Sequence, residues 1–125
     1  MLFEFQSVLN KHFDANFSLC PVEYEGIRFN TPADREWISL HFLPEDADEG
    51  KENGLVRVIC YSSSATLAFS LAADVKKFLD NAFIEGVDIG VGRGDGLGAI
   101  NLENGIWQTV LLFDIMAVNV KCEKD

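Results

Sequence analysis

The sequence has few residues of the types that build metal sites, disulfide frameworks and membrane spans. It holds three cysteines, with no CxxC pair, and two histidines among 125 residues. An odd number of widely spaced cysteines favours reduced thiols. No apolar run reaches the roughly 18 residues that a membrane-spanning helix needs, and the N-terminus lacks a basic region followed by an apolar signal core. We therefore expect a soluble, cytoplasmic protein with no metal ion, no other cofactor and no membrane partner.

Basic residues are also scarce. The chain has 20 acidic and 10 basic residues, a formal net charge of −10. Residues 1–50 hold ten acids and three bases (−7), whereas residues 51–125 hold ten acids and seven bases (−3). Specific binding of nucleic acid needs a basic stripe that displaces counterions from phosphates. The sequence has no such stripe, so we expect no specific nucleic-acid binding and no attraction to anionic lipid.

The residues that are present predict one globular domain spanning 1–125. Apolar residues make up 48% and charged residues 24% of the chain, close to globular averages, and this length is typical of a single domain. Hydrophobic periodicity predicts the element order α-β-β-β-α-β-β. We therefore expect an α+β fold with a mixed or mainly antiparallel sheet flanked by two helices.

The first half of the chain predicts a helix and then strands. Apolar side chains at helical spacing predict an amphipathic helix over residues 2–13. Residues 22–29 read as a short strand with a bulge or as a tight hairpin. Residues 37–43 alternate, with Ile38, Leu40 and Phe42 on one side, which predicts a half-buried strand that ends at Pro44.

An acidic segment, residues 45–54, separates this strand from a second one over Leu55–Tyr61. Its composition predicts a solvated loop at the tip of a long β-hairpin. Its spacing begins like a calcium loop, but Gly50 stands where a third ligand is needed, so we expect no specific ion site. Its five acids are candidate protein-interface residues: Glu45, Asp46, Asp48, Glu49 and Glu52.

The second half predicts a helix, a glycine-rich segment and a closing strand region. Ser62–Ser64 offer N-caps for a helix over residues 65–83, which Gly86 ends. Residues 94–99 fit a loose GxGxxA pattern, but no helix start follows, so we expect a flexible loop over 87–98 and no bound nucleotide. Residues 106–120 predict one extended strand, or two joined by a bend near Asp114.

Few residues stand out as candidates for chemistry. His12, His41 and Cys60 are each more typical of structural positions, Cys60 as a small core residue. Asp114 lies in an apolar run, on the face of Leu112 and Met116, so it is either solvated or buried at a subunit contact. No catalytic residue is predicted. The further candidate interface residues are Arg93, Asp95 and Asp114.

Four blocks of the sequence resemble the bacteriophage tail terminator family, the minor tail protein U-like or tail completion proteins. The first is an N-terminal helix followed by Pro21-Val22-Glu23-Tyr24-Glu25-Gly26-Ile27-Arg28-Phe29. The second is the strand at 37–44, which runs into a variable loop. The third is residues 54–61, and the fourth is the helix that carries residues 71–78. The blocks cover most of residues 1–83.

The resemblance implies a structural protein of the virion tail rather than an enzyme. Members of the family form a hexameric ring on the head-proximal end of the tail tube, stop its polymerisation and present the surface to which the head attaches. The implied partners are copies of the chain, the tail tube protein and a head-tail connector or head-closure protein. Two alternatives stay open: another neck or tail component of the same fold, such as a tube protein, and a small α+β enzyme with a loop-built site.

Overall fold

The computed structural model describes residues 5–23, 36–48, 51–94, 98–102 and 105–118. Within those ranges the chain forms an α+β domain with two helices and eight strands, which confirms the predicted fold class. The elements are α1 Phe5–Asn16, β1 Val22–Glu23, β2 Trp37–Asp48, β3 Lys51–Ser62, α2 Ala65–Leu79, β4 Phe83–Ile84, β5 Val87–Ile89, β6 Arg93–Gly94, β7 Ile100–Asn101 and β8 Trp107–Val118.

The strands form one mixed, mainly antiparallel sheet, in the order β1-β2-β3-β8-β5-β4, with β6 and β7 also paired to β8. β1 is parallel to β2, and the other pairs are antiparallel. β3 and β8 keep an unbroken register from Lys51 opposite Val118 to Ser62 opposite Trp107. The closing region is therefore one extended strand without a break at Asp114, the first of the two predicted alternatives.

One face of the sheet, the covered face, is closed by both helices. It carries the even-numbered residues 38–42 of β2 and 56–62 of β3 and the odd-numbered residues 109–117 of β8. Its apolar members join Leu9 and Phe13 of α1 and Leu71 and Val75 of α2 in a single core. Removing this apolar surface from water is the main stabilising contribution to the fold.

The two helices meet in an aromatic seam. The Phe78 ring of α2 lies 4.9 Å from Phe13 and 5.1 Å from Phe17, measured between ring centroids, and the His12 ring stacks on it at 4.8 Å. Such pairs add a small stabilisation beyond area burial. Neither helix combines the length and the apolarity needed to cross a membrane.

Helix α2 begins as predicted and ends earlier. The Ser64 hydroxyl accepts a hydrogen bond from the Leu67 backbone N–H at 3.1 Å, so Ser64 is the N-cap. The helix ends at Leu79 instead of residue 83, because β4 and β5 form a hairpin there, with Ile84 opposite Val87. Its two turn residues, Glu85 and Gly86, have φ of 49° and 90°, as a type I′ turn requires. Gly86 therefore belongs to this turn and does not end the helix.

The predicted loop over residues 45–54 is wrong. β2 continues through Pro44 to Asp48, and β3 already begins at Lys51, so the acidic segment is mostly paired hairpin. The register shifts between Pro44 and Ala47, which marks an irregularity in the pairing. Proline is tolerated because, in the described part of the chain, β1 pairs with β2 only at Ile38 and Ser39, so Pro44 lies on an edge.

The glycine-rich segment is also more ordered than a flexible loop. β5, β6 and β7 each pair with β8, along the edge that β3 leaves free. After the second helix the structure therefore has five strands, β4 to β8, where the sequence predicted two. The hairpin or bulge predicted beyond Glu23 lies outside the described residues.

Candidate functional site

The second face of the sheet, here the helix-free face, is not covered by either helix of the described chain. It carries the odd-numbered residues 37–43 of β2 and 55–61 of β3 and the even-numbered residues 108–116 of β8. None of these residues belongs to the helix-covered core. Several are apolar and only partly buried, including Leu55, Ile59 and Leu112, and Leu43 is 40% exposed. A sheet face of this kind is a candidate contact surface.

One end of the helix-free face is fixed by side-chain contacts. The rings of Trp37 and Tyr61, directly opposite each other on β2 and β3, stack at 4.4 Å between centroids. In the next row, the Ser39 hydroxyl donates a hydrogen bond to the Glu23 carboxylate at 3.0 Å. This bond satisfies the Ser39 hydroxyl, which is buried although the alternation of β2 places it on the side opposite the core.

A row that contains two arginines crosses the middle of the helix-free face. His41, Arg57 and Leu112 are opposite one another on β2, β3 and β8, and Arg93 of β6 is opposite Leu112. We call these four residues the arginine row. The Nε atom of Arg57 is buried and has no hydrogen-bond partner among the residues that the structure describes. A buried donor of this kind costs free energy as long as it has no acceptor.

The structure brings together two of the predicted interface residues. The Arg93 guanidinium donates to the Asp114 carboxylate at 3.0 Å. Both side chains are exposed, Asp114 by 68%, so Asp114 is solvated in the single subunit, the first of its two predicted environments. As predicted, it shares a face with Leu112 and Met116. An ion pair this exposed stabilises the fold by at most about 1 kcal/mol.

A depression of about 320 Å³ lies beside this pair. Asn53, Asp88 and Met116 lie in one row across β3, β5 and β8, and Asp114 also lines the depression. Its two carboxylates give it acidic character. Across the described ranges no group of three or more His, Cys, Asp and Glu side chains could hold a metal ion. The depression therefore continues the polar part of the helix-free face.

Four more of the predicted interface residues lie at the end of β2 and β3 opposite to Trp37 and Tyr61. Glu45, Asp46 and Asp48 belong to β2 and Glu52 to β3, whereas Glu49 and Asp95 lie outside the described residues. We call residues 45–52 the acidic hairpin. Five acids and one base give it a charge of −4. The structure thus separates the predicted interface residues into an acidic end and a pair on the helix-free face.

Arg93 is held in place by a clamp on Gly92, its neighbour in the chain. The Gly92 amide donates to Asp80 at 2.7 Å, and Lys76 Nζ donates both to the Gly92 carbonyl at 3.0 Å and to Asp80 at 2.9 Å. Burial raises the pKa of Asp80, but the Gly92 amide and Lys76 together outweigh it, so the pKa is lowered overall. A Cβ at Gly92 would come within 2.5 Å of the Phe113 ring, so only glycine fits above it.

Burial shifts the pKa values of Cys20, Cys60 and His12. Burial raises the pKa of Cys60 and of Cys20 to about 12, with smaller contributions from nearby Glu36 and, for Cys60, Cys20. Neither is therefore a thiolate nucleophile at neutral pH. Cys60 is fully buried in the core, as predicted. Burial also lowers the pKa of His12, which Glu85 partly opposes.

Sequence reasoning missed Arg57. The signal was available: Arg57 interrupts the apolar, β-branched run of β3 in the same way that Asp114 interrupts the run of β8. Strand alternation places it between Leu55 and Ile59 on one face. Its neighbours in the row could not be named from the sequence, because Arg93 is 36 positions away along the chain.

The comparisons with known proteins bear on the fold alone. No protein-family model matches the chain, and no curated protein matches it. Solved structures do match. One of them, known only by a sequence identifier, has a TM-score of 0.61 and 13% sequence identity over 92% of this chain and 96% of its own. At that identity the likeness establishes a shared architecture, which spans nearly the whole of both chains.

Proposed function

We propose that the protein is a structural component of a bacteriophage tail, a tail terminator that forms a ring on the head-proximal end of the tail tube. In this role it is not an enzyme. It is made in the cytoplasm of the bacterial host and ends in the virion. Its partners are other copies of the chain, the tail tube protein and a head-tail connector or head-closure protein.

The observation that carries the proposal is the presence of two unlike surfaces on one small domain. A closed ring joins subunits head to tail, so each subunit needs two different patches that complement each other. The helix-free face combines partly buried apolar residues with Arg57 and Arg93. The acidic hairpin lies at the end of the same strands and has a net charge of −4, so its composition differs from that of the face. The resemblance of residues 1–83 to tail terminators supplies the kind of ring.

The test is assembly, alone and on tail tubes. Light scattering coupled to size exclusion, with and without magnesium, followed by negative-stain imaging, is expected to detect a discrete ring of about six subunits. Added to growing tail tubes, the protein is expected to bind one end and to stop elongation. A protein that stays monomeric and leaves tube growth unchanged would contradict the proposal.

The same two surfaces would serve a tube protein, which stacks rings without limit. The assembly experiment separates the two roles, because a tube protein grows into long tubes by itself whereas a terminator stops at one ring. Growth into tubes would therefore assign the chain to the body of the tail. A reproducible rise in melting temperature with a small metabolite would instead favour the enzyme alternative.

A further inference from the structure

We infer that the helix-free face pairs with the same face of a second copy of the chain, which gives a symmetric, face-to-face dimer. This inference goes beyond the proposed function and does not depend on it. Under the proposed function the ring contact uses the same face, so the dimer is the form of the chain outside the ring. Dilution favours the dimer over the ring, because the dimer has fewer subunits in each particle.

The first step is that the helix-free face is more apolar than a sheet face in water normally is. In an antiparallel sheet with one solvated face, the residues of that face are mostly polar. Here the described residues of the face include five large apolar side chains that are only partly buried: Leu43, Leu55, Ile59, Leu112 and Met116. A contiguous apolar patch of this kind is typical of a contact with another protein.

The second step is the size of the face. Residues 53–61 of β3 lie opposite residues 108–116 of β8, nine residues in each strand. At about 3.3 Å per residue this length is roughly 30 Å, and four neighbouring strands at about 4.8 Å span roughly 19 Å. The four are β2, β3, β8 and, along the far edge of β8, the short strands β5 to β7.

The flat outline of the face is therefore about 570 Å² in one subunit and about 1,100 Å² in two. A specific interface buries at least about 1,000 Å² in total, and stable ones bury more. A second copy of the face thus provides enough contact area for a dimer that still dissociates.

The third step is the charge. The chain as a whole has a net charge of −10, so most surfaces of two copies repel each other. The described side chains of the helix-free face include two bases, Arg57 and Arg93, and two exposed acids, Asp88 and Asp114. The other described acid on this side, Glu23, is buried at the β1 edge. The charges at the surface of the face therefore balance, and a face that carries both signs can complement itself, as a symmetric dimer requires.

The experiment is sedimentation equilibrium of the full chain at concentrations below those at which rings form. We expect the mass to rise from one subunit to two as the concentration increases. Leu112→Ser removes an apolar side chain from the middle of the face and is expected to raise the dissociation constant of the dimer about tenfold or more. The matched control is Leu67→Ser on α2, on the other side of the sheet, where Leu67 is 44% exposed. The control is expected to change the dissociation constant by less than about twofold.

A second variant, Asp114→Arg, tests the balance of charge at a position where the fold tolerates change, because Asp114 is 68% exposed. The substitution leaves the face with an excess of bases, so two copies repel each other. The dimer is expected to weaken about tenfold at low salt and to recover at high salt, which screens the repulsion. Melting curves establish that each variant is folded, and Asp114→Arg decides the question if Leu112→Ser does not fold.

Every outcome supports or overturns the dimer. A wild-type chain that shows no dimer at any concentration would overturn it, and so would a dimer that neither folded variant weakens. Equal weakening by Leu67→Ser would overturn it as well, because the contact would then involve α2. Capping of tail tubes by a chain that never dimerises leaves the proposed function intact, whereas a dimer that leaves tube growth unchanged supports this inference without the proposed function.

Discussion

The two faces of the long strands β2, β3 and β8 differ in composition and in what covers them. The covered face is mainly apolar, from Ile38 through Val56 to Phe113, and both helices close it. The helix-free face alternates apolar residues with Arg57 and Asp114 and is closed by neither helix. The same backbone thus separates two tasks. The covered face builds the core, and the helix-free face carries the charged residues.

The largest expected difference between the faces is seen at two adjacent residues of β8. Phe113→Ala removes a fully buried ring from the core and is expected to lower the free energy of unfolding by about 3–5 kcal/mol. Leu112→Ala, on the helix-free face and only partly buried, is expected to cost about 1 kcal/mol. Urea denaturation measures both. Equal losses would show that the helix-free face is as important to the fold as the covered one.

The next effect concerns the clamp that fixes the glycine-rich segment to α2. Asp80→Asn removes the charge that holds the Gly92 amide and Lys76, and is expected to cost about 1.5–3 kcal/mol at pH 7. Because the pKa of Asp80 is lowered on folding, its contribution is present above its ordinary pKa of 3.8 and is lost as the pH falls below that value.

Urea unfolding as a function of pH measures this effect. The difference between wild type and Asp80→Asn is expected to shrink as the pH falls below 3.8 towards the lowered pKa. Asp74→Asn, on the same helix, is the control and is expected to change stability by less than about 0.5 kcal/mol. A difference that stays constant across this pH range would rule out the clamp as its source.

A third effect tests the close approach of the glycine-rich segment to the core. Gly92→Ala places a Cβ 2.5 Å from the Phe113 ring and is expected to destabilise the fold by about 1–3 kcal/mol. Gly90→Ala is the matched control, since the nearest atom to its Cβ is 3.6 Å away, and it is expected to be nearly neutral. Thermal melts compare the two. Similar melting temperatures for both variants would contradict the packing of Gly92 on Phe113.

The smallest effect belongs to the helix-free face. Arg93→Ala breaks the exposed ion pair with Asp114 and is expected to change the stability of the monomer by less than about 1 kcal/mol, and less still at high salt. Thermal melts at low and high salt measure it. A loss of several kcal/mol would show that this pair is structural and would blur the contrast between the two faces.

Prediction from the sequence was strongest where one element carried its own signal. The Ser64 cap, the alternation of β2, the core position of Cys60 and the face of Asp114 each follow from local pattern. Prediction was weakest where a strand depends on hydrogen bonds to a strand far away in the sequence. The acidic hairpin and the strands β5 to β7 have turn-like compositions. In the hairpin the ends of β2 and β3 bond to each other, and β5, β6 and β7 each bond to β8.

The candidate site also has parts that follow from local sequence and parts that depend on distant partners. The sequence by itself determined the class of the fold, the excess of acid near residues 45–52 and the place of Asp114 on the face of Leu112 and Met116, because composition and period are local properties. Only the tertiary structure decided that Arg57, Arg93 and His41 share a row and that the acidic hairpin lies well away from it on the same strands. Register between strands far apart in the chain fixes those neighbours, and it follows from the packing of the whole sheet rather than from any single segment.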